Sequence, residues 1–162
     1  MWCTAGGLGL LPKAPGTWGS LKPLVVTLVC GHFGLIQIWL MVLLGAIIVA
    51  SSIATVVLSP WYSKHFGKED PPQVVSDEVA GQSIALLGMA WVAPSSIGTI
   101  AWIGLAILAF VFFRIFDIWK PGCINTSQQL KAGYGVLMDD IFAGIVAGGI
   151  ILLIAMNYPV AT

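Results

Sequence analysis

The chain has 162 residues, 58% hydrophobic and 9% charged, with a formal net charge of +0 and a mean hydropathy of +0.96. Soluble domains carry about 25% charged residues, so this composition excludes an ordinary soluble domain and predicts an integral membrane protein. The balanced charge gives no reason to expect a nucleic-acid partner, and Cys3, Cys30 and Cys123 show no disulfide or metal-ligand spacing and read as free thiols.

The N-terminus lacks a basic region followed by an apolar run, so no cleavable signal is expected. The chain opens instead on Gly6-Gly-Leu-Gly-Leu-Leu-Pro-Lys13-Ala-Pro-Gly16-Thr17-Trp-Gly19-Ser20. Its glycines and prolines predict an irregular lead-in, with Thr17 or Ser20 capping the helix that follows. Free N–H groups at such a helix start, with Lys13 nearby, suit an anion, although Gly/Pro-rich lead-ins are commonly plain loops.

Charges fall in three clusters: Lys13 and Lys22; Lys64 to Glu78; and Arg114 to Asp140. Between and after them lie charge-free stretches at 23–63, 79–113 and 141–162. A spanning helix needs about 20 apolar residues. The first stretch has room for two, broken near Gly31-His32-Phe33-Gly34. The second has room for two shorter ones, broken at Ala93-Pro94-Ser95-Ser96. The third has room for one. The expectation is an all-α polytopic membrane protein, one domain over 1–162, with about five hydrophobic helical segments at about 20–32, 35–59, 76–91, 96–119 and 135–157. The first is polar enough to be re-entrant. Two hairpins and a last helix place every Lys and Arg on one side, which the positive-inside rule makes cytoplasmic. The carboxylates then gather at that one membrane face, with the C-terminus opposite.

Three later blocks carry the chemistry. In Val74-Val-Ser76-Asp77-Glu78-Val-Ala-Gly81, Ser76 is expected to cap a helix with two acids in its first turn. In Phe113-Arg114-Ile-Phe-Asp117-Ile-Trp-Lys120-Pro121, three charges spaced by three share a helix face, as a self-neutralising ladder or as phosphate ligands. In Gly133-Tyr-Gly-Val-Leu-Met-Asp139-Asp140-Ile-Phe-Ala-Gly144, two adjacent acids head a long uncharged run. One Asp would suit a helix N-terminus; a pair beside an apolar segment favours a bound cation. Their side chains diverge by about 100° on a helix, so one is expected to ligate and the other to orient. Gly144 and Gly148 follow Asp140 at four-residue spacing and predict a close helix contact beneath the pair. Gly81 stands in the same relation to Asp77. Oxygen-rich, His-poor ligand sets suit a hard cation such as Mg²⁺, and carboxylates with Lys and Arg nearby are equipment for phosphate-ester hydrolysis. His32 and His65 are expected on opposite sides of the membrane, and Gln129 stands where a Cys-x5-Arg phosphatase loop starting at Cys123 would need Arg. Attack by water is therefore the expected route.

The four blocks, in order over nearly the whole chain, resemble the phosphatidylglycerophosphatase A family of bacterial inner-membrane lipid phosphatases. The matching motifs are Gly9-Leu-Leu-Pro-Lys-Ala-Pro-Gly-Thr-Trp-Gly-Ser20, Asp77-Glu78-x-x-Gly81, Phe113 to Pro121 and Gly133-x-Gly135-x-x-x-Asp139-Asp140-x-x-Ala-Gly144. The departures are a short leader and Ser76 where an apolar residue is expected. The resemblance implies Mg²⁺-dependent release of the terminal phosphate of phosphatidylglycerophosphate at the cytoplasmic face of the inner membrane. By motif, Asp77, Glu78, Asp117, Asp139 and Asp140 would be the catalytic and metal-binding acids. Lys13, Thr17, Arg114 and Lys120 are the candidates on the phosphate side. Other readings are a small transporter or channel using the acids for cations, and a non-catalytic assembly subunit. A transporter would want ionisable groups near the bilayer midplane. A CDP-alcohol phosphotransferase would need a longer Asp-rich motif than any present.

Overall fold

The computed structural model describes residues 2–35, 37–121 and 133–158. Among these it is all-helical: a 3-10 turn at Leu8–Leu10, then α1 (Pro15–His32), α2 (Gln37–Val57), α3 (Ser59–Phe66), α4 (Ser76–Leu87), α5 (Pro94–Ile97), α6 (Thr99–Trp119) and α7 (Gly133–Met156). Proline opens α1, α3 and α5, where its missing N–H costs nothing and its fixed φ suits the first turn. Cys123, Lys131 and Thr162 lie outside the described residues.

Three local expectations are corrected. The Gly/Pro-rich lead-in is helical from Pro15 onward, because Gly16 and Gly19 let α1 approach its neighbours. A Cβ at Gly19 would fall 2.7 Å from that of Val75. Neither Thr17 nor Ser20 caps α1; the capping position is Ala14, with φ 49° and no side-chain bond, while the Ser20 hydroxyl donates to the Gly16 carbonyl at 2.8 Å. Ser76 is the first residue of α4 and does not cap it; its Oγ lies 2.7 Å from Thr55 Oγ, tying α4 to α2.

Among the described residues, three helices are long and apolar enough to cross a membrane: α2, α6 and α7. Two of the five expected segments differ. The first is an 18-residue helix containing Pro23. The third, α4, has 12 residues; at 1.5 Å per residue it rises only about 18 Å, against a hydrocarbon core of about 30 Å. The short α4 is the hub. It packs against α1, α2, α6 and α7, and most of its residues are buried. Two indoles hold the chain where α4 stops: Trp91 Nε1 donates to the Gly88 carbonyl at 3.1 Å and buried Trp102 Nε1 to that of Val92 at 2.9 Å.

The tightest packing joins α4 to α7, as the glycine spacing predicts. A Cβ at Gly144 would fall 3.0 Å from the Gly81 carbonyl carbon and 3.1 Å from its Cα. One at Gly81 would fall 2.5 Å from the Asp140 carbonyl oxygen. Gly88 and Gly148 repeat the contact two turns deeper. Gly144→Ala gains about 1 kcal/mol in helix propensity, but its methyl meets backbone that cannot rotate aside, and overpacking costs about 1–3 kcal/mol. Packing is expected to win, so the melting temperature of purified Gly144→Ala should fall. An unchanged or raised midpoint would show that α4 and α7 separate freely.

Candidate functional site

The charged side chains converge at one end of the bundle. They arrive from three helices and from the residue that follows α6. Asp77 and Glu78 stand in the first turn of α4, Arg114 and Asp117 near the end of α6, and Asp139 and Asp140 in the first half of α7. Lys120 follows α6 directly. Its φ of 47° ends that helix and turns it toward α7. The start of α1 closes the group: a Cβ at Gly16 would lie 3.1 Å from Glu78 Cδ and 3.2 Å from Arg114 Nη1.

The five acids divide into two kinds. Asp117 is ion-paired with Arg114 and Asp139 with Lys120. The Arg114–Asp117–Lys120 ladder therefore stops after one rung, because Lys120 lies beyond the helix and reaches across to α7. Asp77, Glu78 and Asp140 form the second kind. Each can place a carboxylate oxygen so that all three lie within 4.8 Å of one another. Asp77 is 5% exposed and Asp140 3%. Asp77 Oδ1 and Glu78 Oε2 are buried without a hydrogen-bond partner. The adjacent pair points apart: Asp139 meets Lys120, and Asp140 joins the trio.

Electrostatics follow from this crowding. Burial, reinforced by the charge of Glu78, raises the Asp77 carboxyl well above the usual carboxylate range. Burial pushes Glu78 up to about 8, with Asp140 adding to the shift and Arg114 opposing it. Buried like charges without counter-charge are costly. Three convergent carboxylates, two of them with an unspent buried oxygen, fit a hard divalent cation, which would supply that counter-charge and accept oxygen ligands.

Arg114 is held by Asp117 on one side and stands 3.5 Å from Ser20 Oγ through Nη1. Thr17 is half-buried beside Gly16, on the rim. Lys13 is exposed on the turn before α1, where its carbonyl accepts the Trp18 indole N–H at 3.1 Å; no contact places its side chain in the cluster. Three neighbours of the site did not stand out from sequence. Ser20 lies in the first motif but reads there as a cap. Gln82, one turn after Glu78, is fully buried, with neither amide atom hydrogen-bonded; an amide inside an apolar stretch was the available signal. Asp70 lies in the loop before α4, within electrostatic reach of Lys120, Asp139 and Asp117. The surrounding protein desolvates it and raises its pKa, against the pull of Lys120. His32 ends α1 at the far end of the bundle, whereas His65 stacks on Trp61 in α3 at 4.8 Å.

A family model described as phosphatidylglycerophosphatase A matches residues 1–155. A Bacteroides thetaiotaomicron protein provisionally named phosphatidylinositol-3-phosphatase is 35% identical, over 88% of this chain and 84% of its own. The phosphatidylglycerophosphatase A of Escherichia coli K12 is 32% identical over 94% of this chain and 81% of its own. That of Haemophilus influenzae is 32% identical over 94% and 84%. No solved structure matches.

The crowding of the trio is expected to make stability depend on pH and, where a cation binds, on that cation. Glu78 rises from an ordinary 4.5 to about 8 in the folded chain, so between those values the folded state holds its proton more tightly than the unfolded state. In EDTA the melting temperature should fall as pH rises from about 4.5 to 8. Glu78→Gln should flatten that slope and melt higher in EDTA at pH 8. Mg²⁺ should raise the wild-type midpoint, by about 2.7 kcal/mol of stability at a hundredfold excess over Kd, and raise that of Glu78→Gln much less. Identical Mg²⁺ responses in the two proteins would remove Glu78 from the cation site.

Proposed function

This chain belongs to the phosphatidylglycerophosphatase A family, and we propose that it hydrolyses the terminal phosphomonoester of phosphatidylglycerophosphate to phosphatidylglycerol and phosphate, with Mg²⁺ as cofactor. The observation that carries this reading is the convergent trio of buried Asp77, half-buried Glu78 and buried Asp140, with Asp77 Oδ1 and Glu78 Oε2 unspent, set beside Arg114. Cation and phosphate sites thus adjoin at the bundle end where four helices meet. When bound, Mg²⁺ would lower the pKa of a water and draw charge from the phosphoryl oxygens.

The chain's own residues do the rest. Asp77, Glu78 and Asp140 hold the cation. Arg114, aimed by Asp117 and Ser20, offers its planar fork to two phosphoryl oxygens, a geometry that a lysine ammonium cannot copy. Lys120 adds a second positive charge at the rim and is itself held by Asp139; burial would lower its pKa, but the hydrogen bond and charge of Asp139 raise it overall. Thr17 and the start of α1 border the phosphate, with Lys13 at the outer edge. A carboxylate of the group, Asp117 or Asp139, takes the proton of the attacking water.

The site end is proposed to face the cytoplasm of a bacterial inner membrane, because the lysines and arginine cluster with it. A lipid headgroup would then enter sideways at the interface. The transporter reading finds no support, since the described acids gather at one end of the bundle and do not line its length.

The decisive experiment is phosphate release by purified protein from phosphatidylglycerophosphate, with phosphatidylinositol 3-phosphate as the competing substrate. Release from phosphatidylglycerophosphate is expected to be the faster, to need Mg²⁺ and to stop in EDTA. Faster hydrolysis of the inositol lipid would transfer the assignment to that substrate, and release that persists in EDTA would remove the cation. Arg114→Lys should lose at least about tenfold in rate, the effect of about 1.4 kcal/mol of lost transition-state binding, while its melting curve stays near wild type. Near-normal turnover would leave Arg114 as the partner of Asp117 alone. A reporter fused near Ser95, at the far end of the bundle, should be active only as an exported reporter.

A further inference from the structure

On the face of α4 turned away from the acids, a groove runs between α1 and α2. Its body has a volume of about 160 Å³, with Pro23 and Val26 on one wall, Ile47, Ala50 and Ala54 on the other, and Val79 at its back. A second hollow of about 360 Å³ continues it along α2 past Ile53 and Val57. Beside the N-terminal lead-in it opens into a mouth of about 250 Å³ bounded by Trp2, Ala5, Gly6 and Lys22. Trp2 borders all three hollows and is 79% exposed. Among the described residues, Lys22 is the only charged side chain lining any of the three.

The shape is amphipathic along its length, with an apolar trough below and one cation at the mouth. Indole rings at the edge of such a trough belong at the headgroup level of a bilayer, and a lysine stem lies along apolar surface while its ammonium stays at the polar boundary. None of Asp77, Glu78, Asp140 and Arg114 lines the groove. Ser76 and Val79, three apart on α4, face it, whereas Glu78 turns toward Gly16 and Arg114. The groove and the acids thus lie on different faces of α4, and a lipid seated in the groove would turn away from the acids.

We infer that this groove binds an anionic phospholipid distinct from the reacting one, with one acyl chain along Val26, Ile47, Ala50 and Ala54 and the phosphate at Lys22. Charge complementarity selects the class. A zwitterionic lipid fills the trough equally well, but its own ammonium cancels the attraction that Lys22 offers. The bound chain presses on Ser76, which is bonded to Thr55 and directly precedes Asp77, so the site supports the turn that presents the acids.

The test uses Trp2 fluorescence of the full chain in nanodiscs, taken as the difference between wild type and Trp2→Phe. Bilayers carry increasing fractions of phosphatidylglycerol or phosphatidylcholine with brominated acyl chains. The fraction giving half-maximal quenching should be about fivefold lower for phosphatidylglycerol, the occupancy gain expected of one lysine at an anionic headgroup. Lys22→Gln should equalise the two lipids, and Ala50→Phe, a substitution on an exposed wall, should weaken quenching by both. Equal quenching in the wild type, or a preference that survives Lys22→Gln, would reduce the groove to ordinary lipid-facing surface. Protection of Trp2 from both lipids would mean that a second copy of the chain covers the groove, and would equally overturn the inference. Because the readout is fluorescence, it stands whether or not phosphate release from phosphatidylglycerophosphate is observed.

Discussion

The backbone contact between α4 and α7 is the constraint on which the site depends. Gly81 against Asp140 and Gly144 against Gly81 bring two main chains closer than any side chain would allow. Only at that separation can Asp77 and Glu78, one turn earlier on α4, share a small volume with Asp140. Close packing here does not merely stabilise the bundle. It sets how far apart three negative charges stand, and so what can bind between them.

That arrangement opposes stability, and the surrounding cations limit the cost. Arg114 and Lys120 each take one acid out of the repulsive group, Asp117 and Asp139 respectively. Breaking a buried pair costs more than never having made it, so these two pairs are rigid walls. What remains uncompensated is confined to Asp77, Glu78 and Asp140, and the molecule concentrates its electrostatic strain where a cation can relieve it. Such concentration of strain is characteristic of functional sites.

Much of this was legible in the sequence because it depends on local pattern. Charge-free stretches locate α2, α6 and α7. The four-residue glycine spacing reports the contact under Asp140, and adjacency alone dictates that Asp139 and Asp140 diverge. The misread features depend on partners remote in sequence. Gly16 and Gly19 look like helix breakers until Val75, Glu78 and Arg114 fill the space beside them. Ser76 looks like a cap until Thr55, on another helix, takes its hydroxyl. The length of α4 was overestimated because apolar composition continues through Met89 and Trp91 after the helix has ended. Ser20, Gln82 and Asp70 gain interest only from what the fold sets next to them.

The two indoles that hold the end of α4 have a consequence for the bilayer itself. By donating to the Gly88 and Val92 carbonyls, Trp91 and Trp102 satisfy backbone at the break, as a lipid setting would require, since lipid offers no hydrogen bonds. The break is thereby fixed, and α4 cannot lengthen into a further span. Asp77 and Glu78 ride on the short helix, whereas Asp117 rides on α6 and Asp139 and Asp140 on α7, helices long enough to accommodate a bilayer by tilting. In a bilayer, a tilt of α7 against an α4 of constant length would act on the glycine contacts beside Asp140, so hydrocarbon thickness would become a mechanical input to the spacing of the acids.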